Sequence, residues 1–186
     1  MKPTVILAMG GFVGDLITIL YDRQALDHYT DDGMVIVPEE RLKLKKESFY
    51  SNATQQELLE YISQYPVVCT QLTHRILEIS YLGVNVIVVY ASDDKMIEYF
   101  AKRMFKYHPY FFNSQLYTTM EEYITQCKQY RGRWPTLFKN KIDVSEIHTD
   151  VNFLDKLPGL KVTTRQVITL DTWQWLNPKT EFNDNT

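Results

Sequence analysis

The sequence predicts an α/β domain, a three-layer sandwich on a mostly parallel sheet, and three observations carry that prediction. Residues 4–9 (TVILAM) form an apolar run that stops at Gly10, Gly11 and Gly14 and then turns amphipathic. That is the pattern of a buried strand, a tight turn and the start of a helix. Residues 84–90 (VNVIVVY) are β-branched nearly throughout, as suits a strand buried on both faces. Strand-like and helix-like segments alternate along the chain, with crossovers long enough for parallel pairing.

Each element follows from its local pattern. Residues 4–9 read as the first strand, and 14–26 as a helix with Leu16, Ile19, Leu20, Gln24 and Leu26 along one side. Residues 33–37 (GMVIV) read as a strand stopped by Pro38, and the charge-rich stretch 39–46 as a solvated loop or short helix. Leu58, Leu59, Tyr61 and Ile62 have helical spacing behind a cap at Asn52 or Thr54. Residues 66–70 make a short strand, and a helix over 72–82 ends at Gly83. Ser92 or Asp93 caps a helix carrying Ile97, Phe100, Ala101 and Met104 on one face. A further helix over 119–130 aligns Met120, Tyr123, Ile124 and Cys127. Residues 166–170 (QVITL) read as a late strand, and 177–186 as a polar tail after a domain spanning 1–176.

Composition narrows the function classes. The chain has 186 residues and a 45% hydrophobic fraction, enough for one core without metal or disulfide staples. A net charge of -3 argues against broad electrostatic binding of nucleic acid. The only cysteines, Cys69 and Cys127, lie far apart in apolar settings and read as reduced, buried thiols, which fits the cytoplasm. No apolar run is long enough to span a bilayer, and Asp15 interrupts the one that follows Lys2. Asn52-Ala53-Thr54 matches a glycosylation pattern and, with no secretion signal, reads as incidental. Aromatic residues are abundant, with 13 Tyr, 9 Phe and 3 Trp. The clusters around Tyr107, Tyr110, Phe111 and Phe112, and at Trp173 and Trp175, are therefore candidate interface surfaces.

Residues 67–74 (VVCTQLTH), 82–92 (LGVNVIVVYAS) and 93–103 (DDKMIEYFAKR) succeed one another as strand, helix, strand and helix. In that order and pattern the chain resembles the small P-loop nucleoside and nucleotide kinases, particularly deoxynucleoside-monophosphate-kinase-like proteins of viruses and phages. The resemblance covers residues 66–127, about a third of the chain. It implies that Gly10, Gly11, Gly14 and Asp15 occupy the phosphate-loop position. It also implies that Arg103 matches a basic position at a helix end and that Arg131 and Arg133 lie in a lid region. A working loop of the G-x-x-x-x-G-K-[ST] type carries Lys and Ser/Thr after its last glycine. This chain carries Asp15 and Leu16 there, with Met9 in place of the first glycine. Asp15 favours the helix N-terminus by ~0.3–1 kcal/mol through the helix dipole. The same charge repels a triphosphate, so ATP-dependent transfer is expected to be lost.

Residues 8–14 (AMGGFVG) are also similar to the G-x-x-G-x-x-G turn of atypical short-chain dehydrogenase-like proteins, with Ala8 for the first glycine. That turn lets a dinucleotide pyrophosphate approach backbone without a lysine. No Tyr-x-x-x-Lys pair accompanies it.

Other chemistry is sparse. The histidines at 28, 74, 108 and 148 form no metal-ligand spacing with one another or with the cysteines. His148-Thr149-Asp150 reads as a capped loop, and Cys69 as a structural thiol rather than a nucleophile serving His74. His74 follows a strand end, where open α/β sheets gather ligands. Arg131-Gly132-Arg133-Trp134-Pro135 reads as a loop and, with Lys139 and Lys141, as a small basic patch or an ordinary solvated turn. His74, Arg103, Arg131 and Arg133 are the candidate contacts for phosphate or an acidic partner. The expectation is a non-catalytic interaction or structural protein of viral or phage type, without cofactor, contacting a protein partner or itself in a homo-oligomer. Alternatives are a deoxynucleoside monophosphate kinase using ATP and Mg through a non-standard loop, and a dinucleotide-binding protein.

Overall fold

Thr4–Ala8 form β1, with Val5, Ile6 and Leu7 fully excluded from solvent and Ala8 nearly so, as an unbroken apolar run requires. The structure is a computed structural model that describes residues 2–9, 14–22, 28–29, 35–36, 52–70, 75–107 and 119–146. Gly14–Tyr21 form α1, shorter than the sequence pattern suggests, and its buried residues include Ile17 and Thr18. The Thr18 hydroxyl donates to the Gly14 carbonyl at 2.8 Å, which is how a polar side chain is accommodated in that buried face.

His28–Tyr29 (β2) and Val35–Ile36 (β3) pair antiparallel as a separate two-stranded ribbon. Of the strand expected at 33–37, Val35 and Ile36 are described, and they pair locally with Tyr29 and His28 outside the main sheet. Gln55–Ser63 form α2, and Thr54, not Asn52, is its cap. Glu57 N–H donates to Thr54 Oγ1 and Thr54 N–H to Glu57 Oε2, a reciprocal capping box. Leu58 and Ile62, one turn apart, are fully buried and contribute about 1.5–3 kcal/mol each.

Val67–Thr70 form β4 and Ile76–Tyr81 form α3, which begins later than the periodicity predicts. Arg75 at its start makes no capping bond. Its guanidinium instead grips Glu78 and donates to the Ala53 carbonyl at 2.7 Å, tying α3 to the segment before α2. Gly83 follows with φ +78°, a left-handed conformation that L side chains rarely adopt.

Asn85–Tyr90 form β5, with Val86–Val89 buried. Asp94–Tyr107 form α4 behind Asp93, whose carboxylate accepts from Lys95 N–H at 3.0 Å. Ile97, Phe100, Ala101 and Met104 are buried as expected, joined by Met96 and Tyr99. Met120–Leu137 form α5, opened by a second capping box between Thr119 and Glu122. This helix corrects the loop expected at 131–135, since Gly132 and Pro135 lie within it. Trp134 and Pro135 are buried, and their packing outweighs the helix bond that proline cannot make. Thr136 Oγ1 donates to Arg133 O and Lys141 Nζ to Pro135 O, satisfying carbonyls of the last turn.

Asn140–Asp143 form β6, which the sequence pattern does not announce, and Val144–Glu146 add a 3₁₀ turn. The main sheet runs β4-β1-β5-β6 and is parallel throughout. From β1 the chain crosses to β4 on one side, then returns past β1 to β5 and on to β6. Parallel crossovers are right-handed, so this reversal sends the connecting helices to opposite faces, consistent with a three-layer α/β sandwich. Helix α1 packs on β1 and β4, α5 on β5, and α4 against α5. Among the described residues no helix is long and apolar enough to cross a membrane.

Candidate functional site

Open parallel sheets collect ligands outside the carboxyl ends of their strands, at the point where strand order reverses. Here that point lies between β1 and β5. Gly14 opens α1 against β1, one of the two strands at that point, and against β4. A Cβ on Gly14 would lie 2.6 Å from the Ala8 Cβ and 2.9 Å from the Cys69 Sγ. The glycine is therefore required by the close approach of α1 to β1 and β4, whatever the preceding turn binds. Asp15 occupies the first turn of the same helix.

Helix α5 reaches the carboxyl end of β1 through one side chain. Tyr130, 3% exposed, donates its hydroxyl to the Leu7 carbonyl at 2.8 Å. Burial holds that hydroxyl well above its ordinary range, and the neighbouring Cys69 and Cys127 add to the effect. Burial likewise pushes the Cys127 thiol up to about 12, against a weaker opposing contact from the Tyr123 hydroxyl. Neither cysteine is in a disulfide and both are buried, as expected. A thiol held protonated this firmly is a packing group and not a nucleophile at neutral pH.

A polar network joins the carboxyl ends of β5 and β6. Asp143 Oδ1 accepts from Ser92 N–H at 3.1 Å and from Ser145 N–H at 3.0 Å. Ser145 Oγ accepts from Asp93 N–H at 2.9 Å. Two amides at the start of α4 are thus taken by side chains of the next strand and turn. Arg131 Nη1 donates to Ser92 O at 2.7 Å and to Asp94 Oδ1 at 2.6 Å, while Lys128 Nζ reaches Asp94 Oδ2 at 2.9 Å. Hydrogen bonds from Lys128 and then Arg131 hold the Asp94 carboxyl below its ordinary 3.8. Two cations and one carboxylate thereby share a half-exposed cluster.

Of the candidate contacts read from sequence, Arg131 belongs to this cluster. Arg133, two residues on, lies over the Trp134 ring, 4.6 Å from its centroid. Arg103 and Tyr107 lie in α4 and Asp15 in α1, and their side chains fall outside the described part of the structure. So do Gly10, Gly11, His74, Tyr110, Phe111, Phe112, Trp173 and Trp175, the stretches 39–46 and 148–150, the strand expected at 166–170 and the tail. The sequence reading missed Tyr130, Asp94, Asp143 and Ser145, whose partners come from distant segments. It also missed the exposed apolar side chains, Tyr81 at 86%, Leu137 at 54% and Leu77 at 41%. Leu77 and Tyr81 stand four residues apart on α3, a spacing that puts them on one helix face. Among the described residues no group of three or more His, Cys, Asp or Glu side chains is placed to hold a metal ion. No family model, curated protein or solved structure matches the chain.

Proposed function

We propose that this chain is a non-catalytic interaction or structural protein, of viral or phage type, on a nucleotide-kinase-like α/β fold that has lost ATP-dependent phosphoryl transfer. The observation that carries the reading is the engagement of Arg131. Phosphoryl transfer depends on positive charge aimed at the phosphates. Arg131 instead directs its guanidinium to Ser92 O and Asp94, and Lys128 shares the same carboxylate. Asp15 stands where a working phosphate loop carries lysine. The exposed Tyr81, Leu77 and Leu137 suit contact with a protein partner or a second copy of the chain.

A second reading, dinucleotide binding, is favoured by Gly14. Close helix–strand packing is the task of the last glycine in dinucleotide-binding turns, and the strand order reverses beside it.

Thermal unfolding with millimolar ATP, dTMP or NAD, each with Mg²⁺, separates these readings. A ligand present at 100–1,000 times its Kd stabilises by ~2.7–4.1 kcal/mol, an evident rise in Tm. The interaction protein is expected to show no rise with any of them. A rise with ATP or dTMP would overturn it in favour of a deoxynucleoside monophosphate kinase, and a rise with NAD alone in favour of the dinucleotide reading. Asp15→Lys should raise ATP affinity if the turn descends from a phosphate loop, and unchanged affinity would count against that descent.

A further inference from the structure

We draw no further inference here: the strongest candidate, the exposed Leu77–Tyr81 face of helix α3, carries nothing because nothing in the structure shows what covers it.

Discussion

Tyr130 and Leu7, separated by 123 positions in the chain, are joined by a hydrogen bond from the tyrosine hydroxyl to the strand carbonyl. The bond anchors the longest described helix to the end of the central strand β1. Tyr130→Phe keeps the ring and removes the donor from a buried carbonyl, which costs about 1–3 kcal/mol. A urea titration should show a lower midpoint with an unchanged slope. An unchanged midpoint would mean the bond adds nothing net.

Gly14→Ala is expected to destabilise by about 1–3 kcal/mol, because the added methyl meets two packed neighbours that have little room to move. Ala8→Gly removes the closer of those neighbours. The double variant should therefore lose less stability than the sum of the two single ones, a coupling that a double-mutant cycle reads directly. Strict additivity would show that the clash is relieved elsewhere.

Asp94 makes stability depend on pH in the acid range. Its folded pKa lies below 3.8, so the unfolded chain binds the proton first as pH falls. Stability from the Lys128 and Arg131 contacts is present above 3.8 and is lost as pH drops through the lower folded value. Asp94→Asn should flatten that part of a Tm-against-pH curve measured from pH 5 to 2. The effect is small and salt-sensitive, since the cluster is half-exposed. A variant curve parallel to the parent's would rule the contribution out.

Cys127 should resist thiol reagents in the native state at pH 8, because burial holds its pKa near 12. Unfolding in urea should release both Cys69 and Cys127 to react. Rapid native labelling at Cys127, located by mass spectrometry, would contradict the packed environment around Tyr123 and Tyr130.

The elements that sequence patterns foretold are those whose signal is local. β5 is apolar at every buried position, and α2 and α4 pair a capping residue with helical spacing of apolar residues. β6 has a single buried side chain, Ile142, among Asn140, Lys141 and Asp143, so neither alternation nor an apolar run marks it. The last two turns of α5 were obscured by Gly132 and Pro135, whose local preference is overridden by burial of Trp134 and Pro135. At the candidate site the same division holds. Gly14 was legible as a glycine where a strand meets a helix. Asp143 and Ser145 were not, because each serves α4 from about fifty residues away.

Parallel strands with both faces apolar carry an ambiguity that the Thr4, Asn85 and Asn140 side chains address. Asn140 Nδ2 donates to Asn85 Oδ1 at 2.7 Å, and Asn85 Nδ2 lies 3.4 Å from Thr4 Oγ1. Sliding β5 by one residue would exchange valine and isoleucine among themselves at three of its four buried positions, with Asn85 or Tyr90 entering the fourth, so burial alone distinguishes right alignment from wrong only at that one position. The amide pair does distinguish them, because a slipped strand would leave it without its partner. These three side chains, near the amino ends of their strands, therefore act as a key that favours one alignment of β1, β5 and β6.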